Sequence, residues 1–127
     1  MKPIILSCLC VEYDPINEWI PDDPLYVDFH MNFTIGLEKT AGDHFHVRVI
    51  TKNCIQEHQR IERAIVLNTY SWPLLLDAVE TILENSQGKD WAEISNKLSK
   101  EMDWEFENYQ PQKESCRAGA TRILFGN

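Results

Sequence analysis

SWPLLLDAVETILENSQGKDWAEISNKLSKEMDWEFENY, residues 71–109, decides the fold class, because it reads as two helices in succession followed by an aromatic and acidic segment. Leu75, Val79, Ile82 and Leu83 recur at the spacing of one helical face, while Asp77, Glu80, Thr81 and Glu84 fill the other, so the first helix carries one stripe made for burial. Ser71 supplies a capping oxygen at its start. Gly88 can take the left-handed conformation that ends such a helix, and Asp90-x-x-Glu93 is the pattern of a capping box, so a second helix begins at about Trp91. There Trp91, Ile94, Leu98 and Met102 share a face, and Lys97 and Lys100 fall late, where positive charge suits the negative end of the helix dipole.

Upstream, Leu25, Val27, Phe29, Met31, Phe33, Ile35 and Leu37 alternate with Tyr26, Asp28, His30, Asn32, Thr34 and Gly36, which is the period of a strand. A turn over Glu38–Gly42 leads to a return strand with Phe45, Val47 and Val49 on one face and His44, His46 and Arg48 on the other. Pairing about that turn sets Thr34 beside His46 and Gly36 beside His44, with His30 several residues away. Residues 3–11 and 64–70 are apolar on both faces, which reads as central, doubly covered strands. Lys52–Gln59 reads as a helical turn. The expected fold is α+β: an antiparallel sheet of four to five strands with two consecutive amphipathic helices packed on one face, the His-bearing face left open.

Between these strands, Asp14-Pro15 and Pro21-Asp22-Asp23-Pro24 mark a loop. Glu12, Asp14, Glu18, Asp22 and Asp23 are interleaved there with Tyr13, Ile16, Trp19 and Ile20. Two readings stay open: a contact surface, or Trp19 and Ile20 folded back onto the core. In Asp103-Trp104-Glu105-Phe106-Glu107, an extended backbone would turn the aromatics one way and the carboxylates the other.

The 127 residues make one domain, 1–127, of 14.8 kDa. A net charge of −8 and an isoelectric point near 4.9 argue against a nucleic-acid surface, whose phosphate contacts need clustered Lys and Arg. No apolar run approaches the ~20 residues of a membrane span. Lys2 followed by an apolar run resembles the start of a signal peptide, but no small-residue cleavage site follows and Glu12 and Asp14 arrive at once, so the expected compartment is the cytoplasm. Cys8, Cys10, Cys54 and Cys116 lack a second pair at zinc spacing and a base beside any thiol. No phosphate loop, G-x-S-x-G or H-E-x-x-H occurs, so no catalytic residue, cofactor or metal ligand is assigned.

The chain has an order of parts that carries a resemblance: Phe45–Thr51, Arg63–Trp72, Gly88-Lys89-Asp90-Trp91-Ala92-Glu93-Ile94, Lys97-Leu98-Ser99 and above all Trp104-Glu105-Phe106-Glu107-Asn108-Tyr109. Over about residues 25–110 it resembles the immunity protein 8 family of bacterial polymorphic toxin systems, with the tail from Gln110 outside. The resemblance implies a non-enzymatic cytoplasmic protein, made beside a toxin gene, that binds the toxin's C-terminal domain. Such toxins are often basic nucleases, which an acidic inhibitor suits. Candidate contacts are Asp22 and Asp23 in the loop, Glu38 and Asp43 at the hairpin end, and Glu105 and Glu107 in the aromatic segment. The alternatives from other classes are a small metal-dependent enzyme using His30, His44 and His46, and a general adaptor domain.

Overall fold

The structure, a computed structural model of the chain, describes residues 1–57 and 59–106. The expectations for Glu107, Cys116 and the tail from Gln110 fall outside the described residues.

The elements run β1 (Ile4–Leu9), a 3-10 turn (Ile16–Glu18), β2 (Asp28–Gly36), β3 (Asp43–Thr51), a second 3-10 turn (Lys52–Cys54), β4 (Ala64–Leu67), α1 (Trp72–Glu84), α2 (Trp91–Leu98) and β5 (Asp103–Trp104). β1 pairs with β2 and β2 with β3, both antiparallel. The other edge of β3 is shared: β4 runs parallel beside Arg48–Thr51, and β5 runs antiparallel beside Phe45–His46. This five-stranded sheet and two helices make an α+β fold.

Alternation decides which face is covered. Phe29, Met31, Phe33 and Ile35 of β2 and Phe45, Val47 and Val49 of β3 are buried against Leu75, Val79 and Leu83 of α1 and Ile94 and Leu98 of α2. Each such side chain removed from water stabilises the fold by roughly 1.5–3 kcal/mol before entropy is counted. Both helices therefore lie on one face. No helix among the described residues is long and apolar enough to cross a membrane.

The caps follow the sequence in part. The Ser71 hydroxyl accepts from Leu74 N at 3.2 Å, and the Asp90 carboxylate accepts from Glu93 N at 2.9 Å. The Glu93 carboxylate, however, reaches Lys89 N at 3.2 Å, one residue short of a reciprocal box. Gly88 does not end α1 in a left-handed conformation; α1 stops at Glu84, and Gly88 exchanges backbone bonds with Met1 (2.8 and 3.1 Å).

Three expectations are corrected. Among the described residues β1 and β4 are not central: there β1 pairs only with β2, and β4 shares the rim of β3 with β5. Two helices on one face leave no second layer among the described residues, so no strand is covered on both sides. Ile4 and Leu9 of β1 and Val66 of β4 are accordingly exposed. The hairpin register also differs. Thr40 Oγ1 donates to Leu37 O and accepts from Leu37 N, and Lys39 and Gly42 take positive φ of 67° and 73°, so the turn spans all of 37–42. Thr34 consequently faces His44, and Asn32 faces His46.

Candidate functional site

The acidic loop is a braced structure. The Tyr13 and Trp19 rings stack at 3.8 Å, Trp19 meets Phe29 at 5.4 Å and Tyr70 at 5.3 Å, and Ile16 is buried. Farther along, Pro24 O accepts from Tyr70 N at 2.8 Å and Asp23 O accepts from Tyr26 N at 3.0 Å. Thr51 Oγ1 donates to Leu25 O at 2.7 Å and accepts from Val27 N at 3.1 Å. The two readings left open by the sequence thus divide: Trp19 folds inward, whereas Ile20 stands 85% exposed. Asp22 and Asp23 are exposed, and the Asp23 carboxylate accepts from Leu25 N at 3.0 Å. Leu25 and Tyr26 precede β2, and both are exposed. Beneath the loop the Tyr70 hydroxyl is buried with no partner among the described residues, and burial pushes its pKa up to about 12.

Glu38, Asp43 and Glu105 lie at the other end of the sheet. Nine-residue β2 separates the two ends by about 27 Å at ~3.4 Å per residue. The fold thus does not gather the candidate contacts into one patch. Glu38 is exposed on the turn. Asp43 is half-buried, and its Oδ2 accepts from both Trp91 Nε1 (2.8 Å) and Trp104 Nε1 (3.1 Å). It beds α2 and β5 onto the hairpin, beside a half-open depression of about 290 Å³ lined by Leu37, Thr40, Gly42, Asp43 and Trp91. Glu105 continues the β5 ladder: its N–H donates to His44 O at 3.0 Å, and its carboxylate accepts from His44 N at 2.7 Å. The backbone turns at Glu105 and Phe106, and Phe106 is exposed, packed edge-on against Trp104.

On the open sheet face, Asp28 and Arg48 make a two-pronged ion pair of 2.8 and 2.6 Å, and the guanidinium holds the Asp28 carboxyl below the usual carboxylate range. His30 and His46, expected to be apart, are diagonal neighbours whose rings stack at 5.1 Å. His44 Nδ1 instead bonds Thr34 Oγ1 at 3.0 Å. Among the described residues no three His, Cys, Asp or Glu side chains converge to hold a metal ion.

Burial, then the neighbouring His30, pushes the His46 pKa down. A histidine whose folded pKa lies below its unfolded value binds fewer protons folded than unfolded as the pH passes between the two. Its contribution to stability is full above pH ~6.5 and is lost as the pH falls through the folded pKa. Equilibrium unfolding in urea should therefore show stability falling on acidification through this window. His46→Gln should flatten the fall, and an unchanged pH profile would remove His46 as its source.

A family model described as immunity protein 8 matches residues 5–109. The match reaches upstream of the similarity read from the sequence and takes in β1 and the acidic loop. No curated protein and no solved structure matches the chain.

Proposed function

This chain belongs to the immunity protein 8 family, and from that premise we propose that it binds the toxin domain encoded beside it, one copy to one copy, and holds that domain inactive in the cytoplasm of the cell that makes both. The family match over residues 5–109 carries the reading. The net charge of −8 supports the finer part, that the toxin is a basic nuclease, because a groove built for phosphates attracts carboxylates. Inhibition needs no chemistry from this chain; it needs a complementary surface that excludes the toxin's substrate, with specificity from shape and from charges left unpaired against other toxins.

Co-expression with the adjacent toxin domain tests this. The expected result is restored growth and a one-to-one complex by size exclusion with light scattering. Unprotected cells and no complex would end the immunity reading, while a protected cell with a different stoichiometry would correct only the one-to-one part. A toxin without nuclease activity would remove the nuclease assignment.

A further inference from the structure

We propose that the toxin-facing surface is the loop end of the molecule, with Ile20, Leu25 and Tyr26 at its centre, Leu74 of α1 alongside, and an acidic surround of Glu18, Asp22, Asp23 and Asp77; its occupant is a basic surface of the toxin carrying an apolar depression. This assignment rests on the immunity reading above.

Three observations converge on that end. The first is apolar exposure on a braced base: Ile20 is 85% and Tyr26 59% exposed, and Leu25 and Leu74 are also exposed. The backbone beneath them is held by the Tyr13–Trp19 stack and the Pro24–Tyr70 and Thr51–Leu25 bonds. The Ile16–Glu18 turn packs against α1, which joins the loop to that helix. A loop already ordered when free loses little entropy on binding, so its exposed apolar side chains can act as anchors.

The second is segregation of charge. No Lys or Arg occurs between Lys2 and Lys39 or between Arg63 and Lys89, the segments that build this end. Lys52, next to Thr51, stands at its margin. The third is pairing. At the hairpin end carboxylates are partly neutralised, Glu84 by Lys2 at 2.8 Å and Glu93 by Lys97 at 3.3 Å. Glu18, Asp22, Asp23 and Asp77 have no Lys or Arg partner among the described residues. Their charge is therefore available to a partner, whereas Asp28, on the open sheet face at this end, is already paired with Arg48. An apolar centre flanked by unpaired carboxylates suits a partner of opposite sign and disfavours a second copy of this chain, which would bring like charges together.

The test measures binding of an inactivated form of the adjacent toxin domain to the full chain. Tyr26→Ala and Ile20→Ser should each weaken the complex by roughly 30-fold or more, mostly through faster dissociation. Asp22→Lys and Glu18→Lys should slow association by about tenfold at low salt and flatten its salt dependence. Glu38→Lys, at the far end, should bind within twofold of wild type. Because the altered side chains are exposed, thermal midpoints should stay at the wild-type value, which separates lost contact from lost fold. If the wild-type chain binds and the loop variants bind equally well, the surface assignment alone is overturned. The same holds if Glu38→Lys causes the larger loss, or if light scattering shows a dimer of the free chain that Tyr26→Ala abolishes. If the wild-type chain does not bind, the immunity reading falls and takes this assignment with it.

Discussion

Replacing Asp43 by alanine should destabilise the protein by roughly 2–4 kcal/mol, because one half-buried carboxylate oxygen accepts from two indole N–H groups. Hydrogen bonds to a charged acceptor contribute about 1.5–3 kcal/mol each, and the stranded donors add desolvation cost. The loss is also architectural. Asp43 opens β3, Trp91 opens α2 and Trp104 closes β5, so the bond pair ties three elements that are far apart in sequence. Asp43→Asn keeps an acceptor oxygen without the charge and should cost less than half as much. Urea unfolding checks the magnitude, and a midpoint fall of roughly 8–16 °C is the thermal equivalent for a domain of this size. An alanine variant melting within about 1 °C of wild type would show that the indole bonds contribute nothing net.

Gly36→Ala should cost a similar roughly 2–4 kcal/mol for a different reason, the close approach of two backbones at the hairpin neck. A Cβ on Gly36 would sit 2.6 Å from Gly42 Cα and 2.7 Å from Thr40 Oγ1. The first neighbour is backbone and cannot swing aside. Gly42 cannot yield by changing conformation either, since its φ of 73° is already the one this turn requires and its own Cβ position lies 2.8 Å from Ile35 O. The neck must therefore open, which weakens the Ile35–Asp43 pair and displaces the Asp43 anchor. Gly36→Ala and Asp43→Ala should accordingly be less than additive, with a coupling of roughly 0.5–3 kcal/mol in a double-mutant cycle. Full additivity would show that neck and anchor act independently.

The two amphipathic helices, the β2–β3 hairpin and the covered face were legible because period and polarity agree there: Leu75, Val79, Ile82 and Leu83 can share a face only in a helix, since a strand would turn Ile82 and Leu83 to opposite sides, and Phe29, Met31 and Phe33 only in a strand. The positions of β1 and β4 were not legible. An apolar run on both faces has the same pattern whether the second face is covered or lies at the rim. The site divided in the same way. Asp22 and Asp23 were readable as exposed from their prolines, but Tyr26 hid within an alternation that starts at Leu25, three residues before β2 itself. Asp43 read as one more surface carboxylate, because nothing local places two indoles from residues 91 and 104 against it.

What the amino-acid order determined by itself was local: which segments are helices and strands, which side of each turns inward, and that the whole is acidic. Only the tertiary structure decided the hairpin register, the stacking of His30 on His46, the use of Asp43 as an internal anchor and the separation of the carboxylates onto two ends. The physical reason is range. Periodicity and capping act over a few residues and leave their mark in the sequence, whereas register and side-chain pairing depend on turn geometry and on groups tens of residues apart that meet only when the chain has folded.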